Sequence, residues 1–312
     1  MRHRFRTLFS LFLFWLGSSY VFGGSEWRRL VHGSFAIHCH EEDVNSGEKV
    51  MSIAEDNLPR IMRDLGLPTA GNITIIIASS EKEFDVLTGG QIPDWGIGAA
   101  DPLRATLFLK SPRFARPEAN LGKIVIHEMC HVLVGMAVGG KKVPRWFDEG
   151  VALYESGERG IEGAILLARS LWAEEILWLD EIDGVLDFHR GKADLAYQES
   201  LSTVDYLVGK YGKDILARIV GALREGKGMD EAMLSTVGIG FQDFQMDWYQ
   251  AMKKKYRWYV LLDFPLVFST LAVVLFLSAF IVTLRRIRRK RRLWEEEAFH
   301  EIGTLEENST SD

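Results

Sequence analysis

Several features that define common protein classes are missing from this sequence of 312 residues. No internal repeat, glycine-rich phosphate loop or dinucleotide-binding fingerprint appears, which argues against repeat architectures and the usual nucleotide-binding folds. Clustered positive charge is also missing from the long middle of the chain, since residues 25–284 hold 27 basic and 36 acidic residues. Nucleic-acid phosphates are bound by clustered Lys and Arg. We therefore predict no nucleic acid as partner.

Cysteine is scarce, because the chain has two, Cys39 and Cys130. Two cysteines cannot form a disulfide-rich framework. Their spacing leaves open a single bridge or two free thiols, and a small buried apolar role is the simplest interpretation of each.

The two ends of the chain indicate export and membrane anchoring. Residues 1–24 combine three basic residues, an apolar run and small residues before position 25. This layout is typical of a signal peptide, with an uncleaved N-terminal anchor as the alternative. Residues 264–284 carry no charge over 21 positions, enough at about 1.5 Å per residue to cross a hydrocarbon core of about 30 Å. We predict a transmembrane helix within residues 260–284.

Basic residues on the two sides of this segment predict its orientation. Seven lie in residues 285–292 and four in residues 253–257, so the positive-inside rule places the C-terminus in the cytoplasm. The body, residues 25–255, is then an extracytoplasmic domain, either periplasmic or at the cell surface. Residues 285–312 form a basic and then acidic tail, in which little structure is expected from Trp294 onward.

Apolar periodicity predicts an α+β fold in which a small mixed β-sheet with helices is followed by a helical half. Alternating or β-branched segments predict strands at residues 34–39, 73–77 and 103–110, and a glycine-containing loop covers residues 89–98. Helical spacing predicts helices at residues 50–65 (bent or started later by Pro59), 81–87, 121–138, 144 to about 172 with a break, 195–211, 215–223, 230–236 and 241–252.

Two groups of side chains admit two interpretations each. His38 and His40 share the wetter face of the first predicted strand, and two exposed histidines are favoured over a second metal site because no third ligand is nearby. Trp172, Trp178 and Leu179 suggest a membrane-dipping surface or helical core packing, and core packing is favoured.

The most informative stretch reads His-Glu-Met-Cys-His from His127 to His131. Histidines four residues apart lie on one helix face and can bind one metal ion, as in zinc hydrolases. A catalytic zinc needs three protein ligands and one open position. The helix runs on for roughly 10 Å before glycines turn the chain. The next helix returns Glu149 near the height of His131, which predicts the third ligand.

Neighbouring residues extend this predicted site. Glu128 is turned about 100° from His127, so it can face the open position and act as general base and then general acid. Gly150, beside Glu149, is expected to let the two site helices approach closely. Cys130 flanks the metal face, where a packed thiol is the simplest interpretation.

These residues resemble the gluzincin zinc metallopeptidases, especially the peptidase MA-like superfamily and, more distantly, the zinc aminopeptidases. The resemblance rests on the His-Glu-Met-Cys-His motif and on Trp-Phe-Asp-Glu-Gly-Val-Ala-Leu-Tyr-Glu at residues 146–155, and it extends over about residues 33–225. It implies a zincin-like (thermolysin-like) catalytic domain and a peptide or protein substrate. It also implies one Zn²⁺ per chain, held by His127, His131 and Glu149.

Two further expectations come from the resemblance. Tyr197 begins a Tyr-Gln-Glu-Ser block similar to the aminopeptidase block whose tyrosine donates to the oxyanion, and a core tyrosine is the alternative. The strand at residues 103–110 lies where gluzincins use an edge strand to hold the substrate backbone.

The sequence departs from its relatives at two places. Zinc aminopeptidases have a Gly-x-Met-Glu-Asn block that captures the free amino end of the substrate, whereas residues 96–100 read Gly-Ile-Gly-Ala-Ala. This favours endopeptidase cleavage. Leu153 stands four residues after Glu149, where an acidic partner for a ligand histidine is usual. Asp148 and Glu155 are the candidates to replace it.

The sequence thus predicts a membrane-anchored zinc metallopeptidase, an endopeptidase that hydrolyses peptide bonds by zinc-activated water. One alternative is a catalytically inactive metal-binding envelope protein that docks a partner, and another is a structural anchor without metal. No oligomeric state is predicted.

Overall fold

The computed structural model describes residues 27–90, 92, 96–114 and 120–309. The predicted signal peptide, residues 1–24, lies outside these residues. The chain divides into two compact units. Unit 1 comprises Met1–Arg159 and Leu179–Gln245, and unit 2 comprises Gly160–Trp178 and Met246–Asp312.

A five-stranded mixed sheet opens unit 1, and its strands in chain order are β1 Trp27–His32, β2 Phe35–His40, β3 Ile73–Ala78, β4 Gly98–Asp101 and β5 Thr106–Lys110. The spatial order is β1-β2-β3-β5-β4. The three central strands are parallel, and each edge strand is antiparallel to its neighbour. Ile37, Ile75 and Leu107 are paired across the central strands and fully buried. This apolar row anchors the core beneath the sheet.

The strand pattern confirms part of the sequence prediction and corrects one role. β2 and β3 lie where alternating and β-branched residues predict them, and β5 begins only at Thr106 because residues 102–105 form a turn. The prediction that residues 103–110 form an edge strand is wrong, since β5 lies between β3 and β4. The edge strand on this side of the sheet is β4. Its four residues are small or polar, so they show no apolar alternation from which a strand could be predicted. β1 was likewise not predicted.

The described residues form ten α-helices, in segments with helical apolar spacing or with residues that favour helices. Their bounds are α1 Val44–Asp64, α2 Glu81–Thr88, α3 Leu121–Ala137, α4 Arg145–Ser156, α5 Ile161–Ala173, α6 Arg190–Tyr211, α7 Ile215–Arg224, α8 Met229–Val237, α9 Phe241–Tyr256 and α10 Phe264–Ser309. α1 contains Pro59 and starts earlier than predicted. Gly157, with a φ of 70°, ends α4 and produces the predicted break. The described chain is therefore α+β, with a small mixed sheet and a helical majority.

The contact at Gly150 differs from the prediction. A β-carbon added there would lie 2.5 Å from the carbonyl oxygen of Ser200 and 2.6 Å from Cγ2 of Val204. Gly150 therefore allows close approach of α4 to α6, not of α4 to α3. Sequence spacing identifies the small residue but not the partner helix, which depends on the tertiary fold.

The prediction of two exposed histidines on β2 is wrong for His40. His40 is only 7% exposed, and its Nε2 lies 2.8 Å from Oε1 of Glu83. The ring of Trp27 covers it at 4.3 Å between centroids. α2 and β1 enclose His40, whereas His38 is half-buried. Cys39 and Cys130 are both buried free thiols.

Unit 2 contains α5, α10 and a 3₁₀ segment, Arg257–Leu262, that leads into α10. The favoured prediction of core packing is wrong for Trp172 and Trp178, which are 58% and 41% exposed. α5 ends at Ala173, and the indole of Trp172 donates to the carbonyl oxygen of Arg257 at 2.8 Å instead of entering a core. Within unit 1, Leu179 is fully buried, as core packing predicts.

In the described part of the chain, one helical stretch is long and apolar enough to cross a membrane, Val267–Arg292 within α10. The expectation of little structure from Trp294 onward is wrong as far as Ser309, where α10 ends. Residues 285–309 are rich in Arg and Glu and contain no proline, so they favour a helix. Extending an existing helix also avoids the cost of nucleation.

Candidate metal centre

Two helices of unit 1 that pack against each other carry the predicted ligands. α3 presents His127 and His131 one turn apart, and α4 presents Glu149. The connection needs Gly139 and Gly140, whose φ angles of 68° and 72° lie in the left-handed region that favours glycine. The helix, its glycine turn and the returning helix bring the three side chains together as the sequence spacing predicts.

The three side chains converge on one point. One ligand atom from each of His127, His131 and Glu149 lies within 4.8 Å of the others. Oε2 of Glu149 is 3.5 Å from Nε2 of His127 and 3.7 Å from Nε2 of His131. Two imidazole nitrogens and one carboxylate oxygen form a ligand set that catalytic zinc sites use. These residues therefore fit a zinc ion.

Carboxylates behind the two imidazoles orient them. Nδ1 of His127 lies 3.2 Å from Oε1 of Glu158, and Nδ1 of His131 lies 2.9 Å from Oδ2 of Asp148. Ser156 donates to the same Glu158 oxygen at 2.9 Å. Because each Nδ1 faces a carboxylate, each Nε2 is left to point at the centre.

One of these partners matches a candidate from the sequence and one does not. Asp148 was a candidate, but Glu155, the other one, forms an ion pair with Arg60. Glu158 was missed because it follows Gly157, beyond the end of α4, where helical spacing no longer applies. The signal that could have found it is the glycine itself, which turns the chain back towards α3.

The charges of the centre shift several pKa values. Burial opposes ionisation of Glu149, but His131, His127 and Arg145 outweigh it and lower its pKa to about 2. Burial lowers the pKa of both histidines, yet the carboxylates around them outweigh burial and raise each pKa above its ordinary 6.5. Protons therefore compete with a metal ion for the nitrogens of these two histidines.

Arg145 is a member of the centre that the sequence interpretation missed. Its Nε lies 3.1 Å from Oε1 of Glu149, and its backbone N–H donates to Oδ1 of Asp183 at 2.9 Å. The guanidinium faces one oxygen of Glu149 while the other oxygen faces the imidazoles. The i, i+4 spacing of Arg145 and Glu149 on α4 is the signal that could have revealed it.

Glu128 occupies the space between the centre and the edge strand. A β-carbon added at Gly98 in β4 would lie 2.6 Å from both Cγ and Oε1 of Glu128. Burial raises the pKa of Glu128, and the charges of His127 and His131 partly oppose that rise. The Glu128 carboxylate therefore lies near His127, His131 and Glu149 but is not one of the three converging side chains.

Tyr197 lies on α6, which packs against α4. Burial raises the pKa of its hydroxyl, and the negative charges of Glu149 and Glu128 raise it further. These effects place the partly buried Tyr197 in the electrostatic surroundings of the centre. The hydroxyl stays protonated at neutral pH and can donate a hydrogen bond.

The sequence of this region matches a known family. A family model described as the Peptidase MA superfamily matches residues 91–254, slightly more than half of the chain. The chain belongs to the Peptidase MA superfamily. A comparison with curated proteins finds no match. The matched residues include all three converging ligands, Glu128 and Tyr197, so a metallopeptidase-type domain contains the whole centre.

Proposed function

We propose that this Peptidase MA superfamily member is a membrane-anchored, zinc-dependent endopeptidase with a zincin-like catalytic domain. The observation that carries the proposal is the convergence of His127, His131 and Glu149 within 4.8 Å, with Glu128 beside them and against the edge strand. The superfamily is generally zinc-dependent. One Zn²⁺ held by these three residues supplies, when bound, a Lewis acid that activates water and polarises the peptide carbonyl.

Glu128 carries the proton transfers in this proposal. Its carboxylate accepts a proton from the attacking water and then passes it to the amine that leaves. Burial raises the pKa of Glu128 above its ordinary value, which makes this carboxylate a better proton acceptor. Its position against Gly98 keeps it next to any peptide that lies along β4.

Tyr197 and Arg145 each interact with a negatively charged oxygen in this proposal. The protonated Tyr197 hydroxyl donates to the oxygen of the scissile carbonyl as negative charge develops there. Arg145 holds Oε1 of Glu149 at 3.1 Å, so that Oε2 remains directed at the histidines. The first role stabilises the transition state, and the second keeps a ligand in position.

The edge strand supports endopeptidase cleavage. β4 is the outer strand on its side of the sheet, and an edge strand can pair with an extended peptide through main-chain hydrogen bonds. Gly98, Ala99 and Ala100 are small, so long substrates can approach the strand. Residues 96–100 contain no glutamate to capture a free amino end.

The location of the enzyme follows from α10 and from charge. The apolar stretch Val267–Arg292 serves as the membrane anchor. The seven basic residues at 285–292, against four at 253–257, favour a C-terminus in the cytoplasm and a catalytic domain outside, periplasmic or at the cell surface. A signal segment at residues 1–24 directs the export.

The test compares full-length wild type with Glu128→Gln, both purified in detergent, for zinc content and for cleavage of an unfolded protein. We expect one zinc per chain in both proteins and cleavage by the wild type alone. Equal zinc with no difference in cleavage would refute the peptidase and support a metal-binding domain that docks a partner. A chain that binds no zinc and keeps its stability on chelation would instead be a structural anchor.

A further inference from the structure

Unit 2 exposes large apolar side chains at the foot of the predicted membrane helix. Trp172 near the end of α5 is 58% exposed, and Trp258 and Leu261 in the 3₁₀ segment are 60% and 63% exposed. Leu262, at the end of the same segment, is 44% exposed. We call these four residues the tryptophan–leucine patch. Large apolar side chains that cluster on a surface mark an interaction site.

Two contacts fix the patch as one piece. The indole Nε1 of Trp172 donates to the carbonyl oxygen of Arg257 at 2.8 Å, which places Trp172 beside Trp258. At the other end of the 3₁₀ segment, Arg169 forms an ion pair with Asp263. The segment is therefore held to α5 at both ends, and its exposed side chains are not those of a loose linker.

The patch continues directly into α10. Leu262 is two residues before Phe264, where α10 begins, and Phe268 in its second turn is 75% exposed. Three residues of chain span at most about 10 Å, so Leu261 lies within about 10 Å of Phe264. A head-group layer of several Å flanks a hydrocarbon core of about 30 Å on each side. A helix that starts at the core boundary therefore keeps the 3₁₀ segment at head-group depth.

The composition of the patch fits that depth. Tryptophan concentrates at the membrane–water interface, because its ring is apolar and its N–H is polar. Asp263 would lie at the edge of the hydrocarbon core, where an unpaired charge is costly. Arg169 neutralises it, and the carboxylate is almost fully buried. The pair compensates the acidic charge next to the start of α10.

We infer that the tryptophan–leucine patch inserts into the head-group layer of the extracytoplasmic leaflet, next to the point where α10 enters the bilayer. Four basic residues precede or begin the segment, Lys253, Lys254, Lys255 and Arg257. They favour a leaflet that contains anionic lipid. The membrane contact of unit 2 is thus a surface beside the anchor as well as the anchor itself, which goes beyond the proposed catalytic role.

The experiment measures depth in full-length protein reconstituted into vesicles of phosphatidylcholine and phosphatidylglycerol. Nitroxide labels are attached at Leu261→Cys and, separately, at Trp258→Cys, and collisions with oxygen and with a water-soluble nickel chelate are recorded. Cys39 and Cys130 are buried, so the new thiol takes the label. Phe268→Cys reports the hydrocarbon core, and Val86→Cys, at a residue 74% exposed on α2 of unit 1, is the reference.

We expect the ratio of oxygen to nickel collisions at residues 258 and 261 to lie several-fold above the ratio at residue 86 and below that at residue 268. Ratios equal to that at residue 86 would overturn the inference. So would low collision rates with both reagents, which indicate a protein partner over the patch. A water-like ratio at residue 268 would overturn the membrane span as well, but it leaves the zinc and cleavage measurements on Glu128→Gln unaffected.

Discussion

Glu128 lies directly against Gly98, since a β-carbon at residue 98 would be only 2.6 Å from Oε1 of Glu128. The proposed general base is therefore positioned by an edge strand distant from it in sequence. Neither the His-Glu-x-x-His spacing nor the residues around it predict this contact. It links the site for proton transfer to the strand on which a peptide would lie.

Gly98→Ala should displace the Glu128 carboxylate while leaving the three ligands in place. We expect kcat/KM for peptide cleavage to fall by about 10²-fold, the loss typical of a catalytic group misplaced by about 1 Å. Zinc content should stay at the wild-type level. Gly209→Ala is the matched control, because a β-carbon there meets no atom within 4 Å. Unchanged cleavage by Gly98→Ala would show that Glu128 is not confined by β4.

Glu158→Gln should weaken zinc binding through His127. The carboxylate 3.2 Å from Nδ1 of His127 orients the ring and increases its basicity. Loss of such a partner typically lowers metal affinity about 10–100-fold, and competition with a chromophoric chelator measures that change. Glu162→Gln, at an exposed residue of α5, is the control and should keep wild-type affinity. Wild-type affinity in Glu158→Gln would exclude this orienting role.

Zinc affinity should depend on pH above the range of an ordinary histidine. His127 and His131 must lose their Nε2 protons to bind a metal, and the surrounding carboxylates raise both pKa values above 6.5. Protons therefore compete until the pH exceeds these raised values, so affinity should still increase as the pH rises past 6.5. Chelator competition from about pH 5.5 to about pH 8.5 measures the profile. A plateau that begins below pH 6.5 would contradict the raised pKa values.

Gly150→Ala should separate α4 from α6. The new methyl group would overlap the carbonyl oxygen of Ser200 and Cγ2 of Val204, and overpacking of this kind costs about 1–3 kcal/mol. The apparent melting temperature of the metal-free protein should fall. Gly221→Ala on α7 meets no atom within 4 Å and should leave the melting temperature equal or higher. Equal melting of wild type and Gly150→Ala would show that the helices can shift without cost.

The convergence of His127, His131 and Glu149 could be predicted because it depends on features that are local in the sequence. His127 and His131 follow the helical period, and the distance to Glu149 follows from helix rise and a glycine turn. Prediction failed where a partner comes from a distant segment. Glu83 beside His40 and Ser200 beside Gly150 depend on how the elements pack, and no pattern in the chain predicts those two pairings. Glu158 behind His127 lies beyond the end of α4, and its one signal in the sequence is Gly157.

The tryptophans of unit 2 show a related difficulty. Periodicity predicted that Trp172 packs in a core, because an aromatic residue at helical spacing usually does so. α5 ends one residue later, and the ring instead lies on the surface against Arg257. At a helix end close to a membrane segment, an apolar residue does not indicate core packing in the way that it does in the middle of a helix. The distance of an aromatic residue from the predicted membrane span is therefore as informative about its burial as its periodicity.

The most direct test of the proposed endopeptidase uses full-length protein and peptides that are blocked at both ends. New amino termini are measured against the amount of zinc bound. We predict that internal bonds are cut in proportion to zinc occupancy and that Glu128→Gln, with the same zinc, produces almost no new termini. Full zinc occupancy without new termini above those of Glu128→Gln would contradict the proposal.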